Sequence, residues 1–322
     1  MKNSTSSTSA STSTSASSAT STATDRRQFL KTAGLGLAAA ALANTSARAS
    51  AQTAPASAQT PAPDAPTPAS GAPARRVKLG LASYTVRKFD LEKIVLPFVK
   101  RLGLARMVLK DAHLPLSASD NQIRETIAKI KAKGITAYGC GTVYMKTPAD
   151  VERAFHYASV AGFEMIIGAP NVDLLPLVEK KVKETNIKLA IHNHGPDNPL
   201  YSSPLDAHAL VKNMDTRMGL CLDIGHAQRQ GLDPAAVFKA TFRRVFDIHA
   251  KDVSASSKAG GTVEMGRGVI DIVGFLQALD ALNYAGTLDF EHEKNPDDPF
   301  AGVAESIGYT RGVLKAIGGA WS

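Results

Sequence analysis

The sequence predicts an α/β protein, a single-domain (β/α)₈ TIM barrel preceded by a disordered leader and linker. Three observations lead to this prediction. Eight short apolar runs alternate with helix-length stretches, as parallel strands joined by helical crossovers would. The apolar runs are nearly continuous, which is typical of strands buried on both faces. The alternating part of the chain spans about 245 residues, the usual size of one such barrel.

The eight predicted strands lie at 77–83, 105–110, 135–140, 164–168, 187–193, 219–223, 245–250 and 286–291. The helices predicted between them lie at 91–103, 120–134, 148–162, 173–186, 203–215, 233–244 and 271–286. Several begin at a capping Asp, Ser or Pro and end at Gly or Asn. Eight strands favour a closed barrel over a doubly wound open sheet. The open sheet would carry a glycine-rich phosphate loop after its first strand, and GLASYTVRKF is not one.

Residues 1–49 are interpreted as a low-complexity leader plus a twin-arginine (Tat) signal peptide. The first 24 residues are almost entirely Ser, Thr and Ala, too poor in large apolar side chains to form a core. Arg26-Arg27 precede a modest apolar run at 34–42 and the cleavage pattern Ala47-Arg48-Ala49. That run is roughly half of the ~20 residues that a transmembrane helix requires. One feature departs from the usual signal: Asp25 stands where Tat signals usually carry Ser or Thr before the arginine pair. The alternative is that this segment is an amphipathic or disordered tail.

Residues 50–75 form a Pro/Ala-rich linker, which leaves 76–322 for the barrel. The protein is therefore predicted to lie in the periplasm or to be exported, in either case by the Tat pathway. The net charge of +8 is half contributed by the leader, and no basic stripe with interleaved aromatic residues is visible. We expect no nucleic-acid partner and no stable membrane insertion after export, while homo-oligomer formation is left open. Cys140 and Cys221 are predicted to be buried free thiols in strands that are not neighbours.

Four of the predicted strands end on residues that bind metals in other proteins. These residues are His192, Asp223, His249 and Glu291. Active sites of parallel barrels lie at the carboxyl ends of the strands, so the four side chains are expected to meet there. A mixed set of His, Asp and Glu suits one divalent ion: Mn²⁺, Zn²⁺, Co²⁺ or Mg²⁺. The alternative is that these residues mark strand ends by chance, with Asp223 serving only as a helix cap.

Other polar residues are expected around the same mouth. His192 and His194 share one face of their strand, because strand side chains alternate. The candidate catalytic residues are Glu291, His192, His194, Lys110, Lys251 and Glu293. The candidate substrate-binding residues are Tyr84, Arg87, His113, His226 and Arg267. For Arg267 a loop salt bridge is the alternative role, and for His113 a surface or packing role.

Residues 76–322 resemble the xylose-isomerase-like TIM-barrel superfamily, the sugar phosphate isomerase/epimerase group that also includes inosose dehydratases and the endonuclease IV branch. The matching segments are GLASYTVR, KDAHLPL, LDIGHAQRQG, DIHAKD, EMGRGVIDI and LDFEHE. The resemblance implies a metal site made of Glu, Asp, His and Glu on the fifth to eighth strands. Asp223, His249 and Glu291 match the last three of these residues, whereas His192 stands where the epimerases carry the first glutamate. That departure counts against a two-base epimerisation.

The resemblance implies a carbohydrate isomerase or epimerase that removes a proton next to a metal-chelated carbonyl of a sugar or polyol. Loss of a β-substituent from the same enolate would instead make the protein a lyase or dehydratase, acting on a 3-keto-sugar, a 3-keto-glycoside or an inosose. A single base suffices for that elimination. Two other classes remain open: a non-catalytic periplasmic sugar-binding barrel, and phosphodiester hydrolysis of the endonuclease type.

Overall fold

The computed structural model describes residues 77–322, and in them eight parallel strands close into a barrel. The strands are β1 (Lys78–Ala82), β2 (Arg106–Leu109), β3 (Thr136–Met145), β4 (Met165–Pro170), β5 (Lys188–His192), β6 (Met218–Asp223), β7 (Val245–Ala250) and β8 (Thr287–Phe290). Each strand pairs with its neighbours in sequence, and β8 pairs with β1 to close the ring. The predicted TIM barrel is confirmed. The predicted leader, export signal, cleavage pattern and linker lie outside the described residues.

The helices surround the barrel in the order that the sequence predicts. They are α1 (Leu96–Arg101), α2 (Asp120–Ala132), α3 (Pro148–Ala161), α4 (Leu175–Thr185), α5 (Pro204–Val211), α6 (Ile224–Arg229), α7 (Pro234–Thr241), α8 (Ile272–Ala281) and α9 (Phe300–Ala316). A π-helical turn, Leu91–Val95, leads directly into α1. None of the described helices is long and apolar enough to cross a membrane.

Two helices and one hairpin were not among the predicted elements. The helix α9 contains Gly302, Gly308 and Gly312, which lower its helix propensity. It forms because buried residues at helical spacing, including Val303 and Ile307, pack against the barrel. The short α6 follows β6 directly, and a two-stranded hairpin pairs Asp252–Val253 with Thr262–Val263.

The core has two parts. A large cluster packs the outer faces of the strands against the helices. A smaller cluster contains only strand residues, among them Val108, Ile167 and Ala190, and fills the barrel interior. Cys140 and Cys221 are buried and free, as predicted.

One polar group is buried in that interior, and sequence analysis did not predict it. The Tyr138 hydroxyl lies 2.8 Å from Oδ2 of Asp247 and also contacts Oδ2 of Asp289. A hydroxyl carries one proton, so only one of these contacts can be donated by Tyr138, and the other needs a protonated carboxyl. Burial raises the pKa of Asp247 to about 6, and burial together with Asp247 raises the pKa of Asp289 well above its ordinary value. Asp247 and Asp289 each lie two residues before a candidate ligand, on the same face of the strand.

Candidate functional site

The four strand-end residues His192, Asp223, His249 and Glu291 meet at the carboxyl ends of β5 to β8. One ligand atom from each lies within 4.8 Å of the others, and all four residues are buried. Strand register accounts for part of this convergence, since Asp223 of β6 pairs directly with His249 of β7. The four residues are far apart in sequence, and closure of the barrel brings them together.

Several atoms of this cluster have no hydrogen-bond partner. Both ring nitrogens of His192 and of His249 are buried without one, and Oδ2 of Asp223 makes no hydrogen bond, although it lies 2.9 Å from the ammonium nitrogen of Lys251. Nε2 of His192 lies 3.4 Å from Oδ2 of Asp223, and Nδ1 of His249 lies 3.2 Å from Oε2 of Glu291. A buried polar atom without a partner typically costs about 1–3 kcal/mol. A cation bound by two imidazoles and two carboxylates would satisfy these atoms, so the residues present fit a divalent metal.

The two oxygens of Asp223 have different surroundings. Oδ1 accepts a hydrogen bond from the backbone N–H of His226 at 2.8 Å and caps α6. Oδ2 faces His192. The side chain of Asn193 holds the Asp223 backbone from both sides, accepting from its N–H at 2.9 Å and donating to its C=O at 3.0 Å. Asp223 is therefore a helix cap through one oxygen and a candidate ligand through the other, and Asn193, which sequence analysis did not single out, fixes its position.

Lys251 lies against the four-residue cluster with its ammonium group buried. Its Nζ lies 2.9 Å from Oδ2 of Asp223 and 2.6 Å from Oε2 of Glu291, and it also contacts Oε1 of Glu293. Burial alone would raise the pKa of Glu291, but His249 and Lys251 beside it hold that pKa well below its ordinary value. Lys251 and Glu293, both predicted from the sequence, thus belong to one ion-paired group with the candidate ligands.

A cavity of about 240 Å³ opens beside the cluster. Its lining residues are Tyr84, Lys110, Thr142, Tyr144, His192, His194, His226, Glu291 and Glu293. Drug-sized ligands occupy pockets of roughly 300–1,000 Å³, so this cavity suits a smaller, polar molecule. Thr142 and Tyr144 line the cavity but are not among the candidate residues predicted from the sequence; both lie in the irregular second half of β3, which follows a shift in register.

His194 and Tyr144 form a hydrogen-bonded pair in the cavity wall. Nδ1 of His194 lies 3.1 Å from the carbonyl oxygen of Leu200, and its Nε2 lies 2.7 Å from the Tyr144 hydroxyl. Because a carbonyl can only accept, the His194 proton must be on Nδ1, and Nε2 accepts from Tyr144. Burial, reinforced by His192, lowers the pKa of His194 to about 4, so the ring is neutral near pH 7.

His226 also lines the cavity. Its Nε2 lies 3.9 Å from Oδ2 of Asp223. Burial lowers the pKa of His226 to about 4, despite the nearby Asp223 carboxylate, and the positive charge of Lys251 contributes to the lowering. His226 is therefore a neutral hydrogen-bonding group at the mouth.

Three of the predicted substrate-binding residues are not part of the cavity lining. Arg87 stacks over the Tyr84 ring, with its guanidinium carbon 4.1 Å from the ring centroid. His113 joins two loops, with Nδ1 2.9 Å from Oγ of Ser83 and Nε2 3.2 Å from the carbonyl of Phe89. Arg267 pairs with Glu305 at 2.8 Å, and its side chain is 61% exposed. A role for these three in substrate binding stays a prediction.

The closed barrel and the polar cluster at the carboxyl ends of its strands define the class: a TIM barrel with its candidate site in the usual place. The chain belongs to the xylose isomerase-like TIM barrel family, whose model matches residues 112–313.

Several solved structures have the same fold as this chain. The IOLI protein with a zinc atom bound is 15% identical, covering 75% of this chain and 98% of that chain at a TM-score of 0.62. The 3-keto-D-glucoside 4-epimerase YcjR from E. coli is 16% identical, covering 74% of this chain and 100% of that chain at a TM-score of 0.60. The probable 3-DHS dehydratase AsbF from Bacillus anthracis is 14% identical, covering 74% and 99% at a TM-score of 0.58. At such identities the likeness concerns the fold alone, and no curated protein sequence matches this chain.

Proposed function

We propose that the protein is a metal-dependent carbohydrate isomerase or epimerase that removes a proton next to a carbonyl of a sugar or polyol. The observation that carries the proposal is the buried set of His192, Asp223, His249 and Glu291, whose unpartnered atoms converge beside a polar cavity. Solved structures of the same fold that are named as an epimerase and as a dehydratase support this reaction class.

The four residues of the set would hold one divalent ion, for which Mn²⁺, Zn²⁺, Co²⁺ and Mg²⁺ are the candidates. When bound, the ion supplies a Lewis acid for an oxygen of the substrate carbonyl. The solved IOLI protein, which has the same fold, carries a zinc atom, and this supports a metal site of this kind here. The two imidazoles favour zinc or cobalt over magnesium, since magnesium prefers oxygen ligands.

The chain's carboxylates are the best candidates for the general base. Glu293 lines the cavity outside the four-residue set, and since its Oε1 contacts Lys251, its Oε2 is left to accept a proton. Glu291 also lines the cavity. His194 is a weaker candidate, because its low pKa and its bond from Tyr144 leave Nε2 little basicity. We therefore assign proton abstraction to Glu293 or Glu291.

A proton donor and a hydrogen-bond acceptor come from other strands of the barrel. Lys110 follows β2 and Tyr144 belongs to β3, the strands opposite β6 and β7 in the ring of eight. Nζ of Lys110 donates to the carbonyl of Thr142 at 3.1 Å, which aims it into the cavity wall. Lys110 can protonate or hydrogen-bond a substrate oxygen facing the carboxylates, and Tyr144, whose proton is donated to His194, can accept a hydrogen bond from a substrate hydroxyl.

Elimination is the second candidate reaction, and one observation favours it. The fifth-strand position carries His192, and the carboxylates that line the cavity, Glu291 and Glu293, both come from the chain that follows β8. One base on one side suffices for a lyase or dehydratase acting on a 3-keto-sugar, 3-keto-glycoside or inosose. Reprotonation on the opposite face would need Lys110 as the second acid.

The test is incubation of the metal-loaded protein with keto-sugars and 3-keto-glycosides in deuterated water, followed by NMR. Deuterium at the carbon beside the carbonyl, with no group lost, supports isomerisation or epimerisation. Loss of water or an aglycone supports the lyase. Glu293→Gln is the variant expected to slow exchange, and the surface change Lys258→Met is its matched control. Binding without exchange for every carbonyl sugar would leave a non-catalytic sugar-binding barrel and overturn the proposal.

A further inference from the structure

Lys251 and the candidate metal use the same two carboxylate oxygens. Oδ2 of Asp223 lies 3.4 Å from Nε2 of His192 and 2.9 Å from Nζ of Lys251. Oε2 of Glu291 lies 3.2 Å from Nδ1 of His249 and 2.6 Å from the same Nζ. A cation held by the four-residue set must therefore share both oxygens with the Lys251 ammonium group, or displace it from them.

The position of Lys251 is built into the fold. Its side chain is 1% exposed and runs past Gly225, where a Cβ would lie 2.8 Å from Cδ of Lys251. Any larger residue at 225 would push the lysine out of place. The ammonium group also contacts Glu293, a carboxylate outside the four-residue set whose side chain is 32% exposed. Glu293 can therefore remain ion-paired with Lys251 when Asp223 and Glu291 bind a metal.

The charges of the group explain why both cations have a place. Asp223, Glu291 and Glu293 contribute three negative charges around one ammonium group. A divalent ion plus Lys251 would balance them. Without the ion, Lys251 is the ammonium group that separates the three carboxylates in this part of the described structure. With the ion, Lys251 repels it from short range in a buried site, where such repulsion is poorly screened.

We propose that Lys251 is a resident counter-cation: it holds Asp223, Glu291 and Glu293 together in the metal-free protein, and by its charge it limits the affinity of the site for the metal. Metal binding would draw the ammonium group away from Asp223 and Glu291, and it would keep its contact with Glu293. The inference rests on the proposed function in one respect, since it requires that the site bind a divalent ion. Lys251 is then a positioning residue that sets how readily the metal exchanges.

The test is a calorimetric or chelator-competition titration with Zn²⁺ and Mn²⁺ on the full chain, stripped of metal beforehand. We expect Lys251→Met to bind the metal at least 10-fold more tightly than the unsubstituted protein, and Lys258→Met, which removes an exposed ammonium group, to bind it equally. Thermal unfolding of the metal-free proteins gives a second measurement. Lys251→Met should unfold at lower temperature without metal and gain more from added metal than the unsubstituted protein gains.

Two further variants keep the test decisive if Lys251→Met does not fold. Lys251→Gln retains a hydrogen-bond donor without the charge, and the double variant Lys251→Met with Glu293→Gln removes one charge of each sign. Both should also bind more tightly than the unsubstituted protein. Equal or weaker binding by the folded variants, with clear binding by the unsubstituted protein, would overturn this inference and leave the proposed metal site intact. No binding by any of the proteins would overturn both.

Discussion

The Tyr144 hydroxyl lies 2.7 Å from Nε2 of His194, and the direction of this hydrogen bond is fixed. His194 donates through Nδ1 to the carbonyl of Leu200, so Tyr144 must donate to Nε2. Because the Tyr144 proton is donated to His194, the Tyr144 oxygen can only accept hydrogen bonds from the cavity that it lines. The pair therefore prepares an acceptor for a hydroxyl group of the substrate.

Tyr144→Phe tests this assignment. We expect KM for the substrate found by the deuterium-exchange screen to rise about 10-fold, with a smaller change in kcat, because the lost contact binds ground and transition states alike. Steady-state kinetics measure the split, with the exposed Tyr309→Phe as the control. An unchanged KM together with a large loss of kcat would instead make Tyr144 a proton donor.

His249→Ala is expected to remove most of the bound metal. The variant deletes one of the four converging ligands and leaves the others without their buried neighbour. Metal analysis of the purified protein gives the content, and His156→Ala, which changes an exposed imidazole paired with Asp120, is the matched control. Full retention of metal by His249→Ala would show that the ligand assignment is wrong.

Asp289→Asn is expected to stabilise the barrel, by about 1 kcal/mol at pH 8, the scale of a one-unit pKa shift. The pKa values of Asp247 and Asp289 are raised in the folded state. The unfolded chain therefore releases these protons at lower pH, and the contribution of the two aspartates to stability falls as pH rises from about 4 through about 6. The asparagine removes one of the buried acids, so the gain should be larger at pH 8 than at pH 5.

Chemical denaturation of both proteins at the two pH values, with a chelator present throughout, measures this difference. A variant less stable than the unsubstituted protein at pH 8 would contradict the conclusion that burial raises the pKa values of Asp247 and Asp289.

Acid is expected to destabilise the protein through its buried imidazoles. The pKa values of His194 and His226 are lowered to about 4 in the folded state. Between about pH 6.5 and pH 4 the unfolded chain binds protons at these two positions and the folded chain does not, so the contribution of the two imidazoles to stability falls as pH falls. His194→Gln should flatten the dependence of the unfolding free energy on pH in this window. The same slope in both proteins would remove His194 from the explanation.

Export is expected to depend on the first arginine pair. Replacing Arg26-Arg27 with a lysine pair should retain the protein in the cytoplasm, because the Tat pathway recognises the twin arginine. Cell fractionation and the mass of the mature chain measure the outcome. Arg75-Arg76, the pair just before the barrel, offers the matched control, and its replacement by lysines should leave export unchanged. Equal export of both variants would contradict the signal assignment.

Much of the fold followed from local pattern. The apolar runs located all eight strands to within a few residues except at the end of β3, which runs on to Met145. In a parallel barrel each strand is buried on both faces, so its composition carries the signal without help from distant residues. The helix α9 was missed because its glycines obscure a pattern that only packing against the barrel makes stable.

The candidate site divides in the same way. The sequence by itself determined which residues stand at the strand ends, because alternation and strand length fix where a chain leaves the sheet. The local pattern was enough to predict His192, Asp223, His249 and Glu291 at these positions. Only the tertiary structure decided which charged and polar side chains are in contact. It placed Lys251 against three carboxylates, Arg267 against Glu305, and Tyr138 between two buried aspartates. Such contacts join residues up to about 150 positions apart, and barrel closure, a long-range event that no local pattern encodes, brings them within bonding distance.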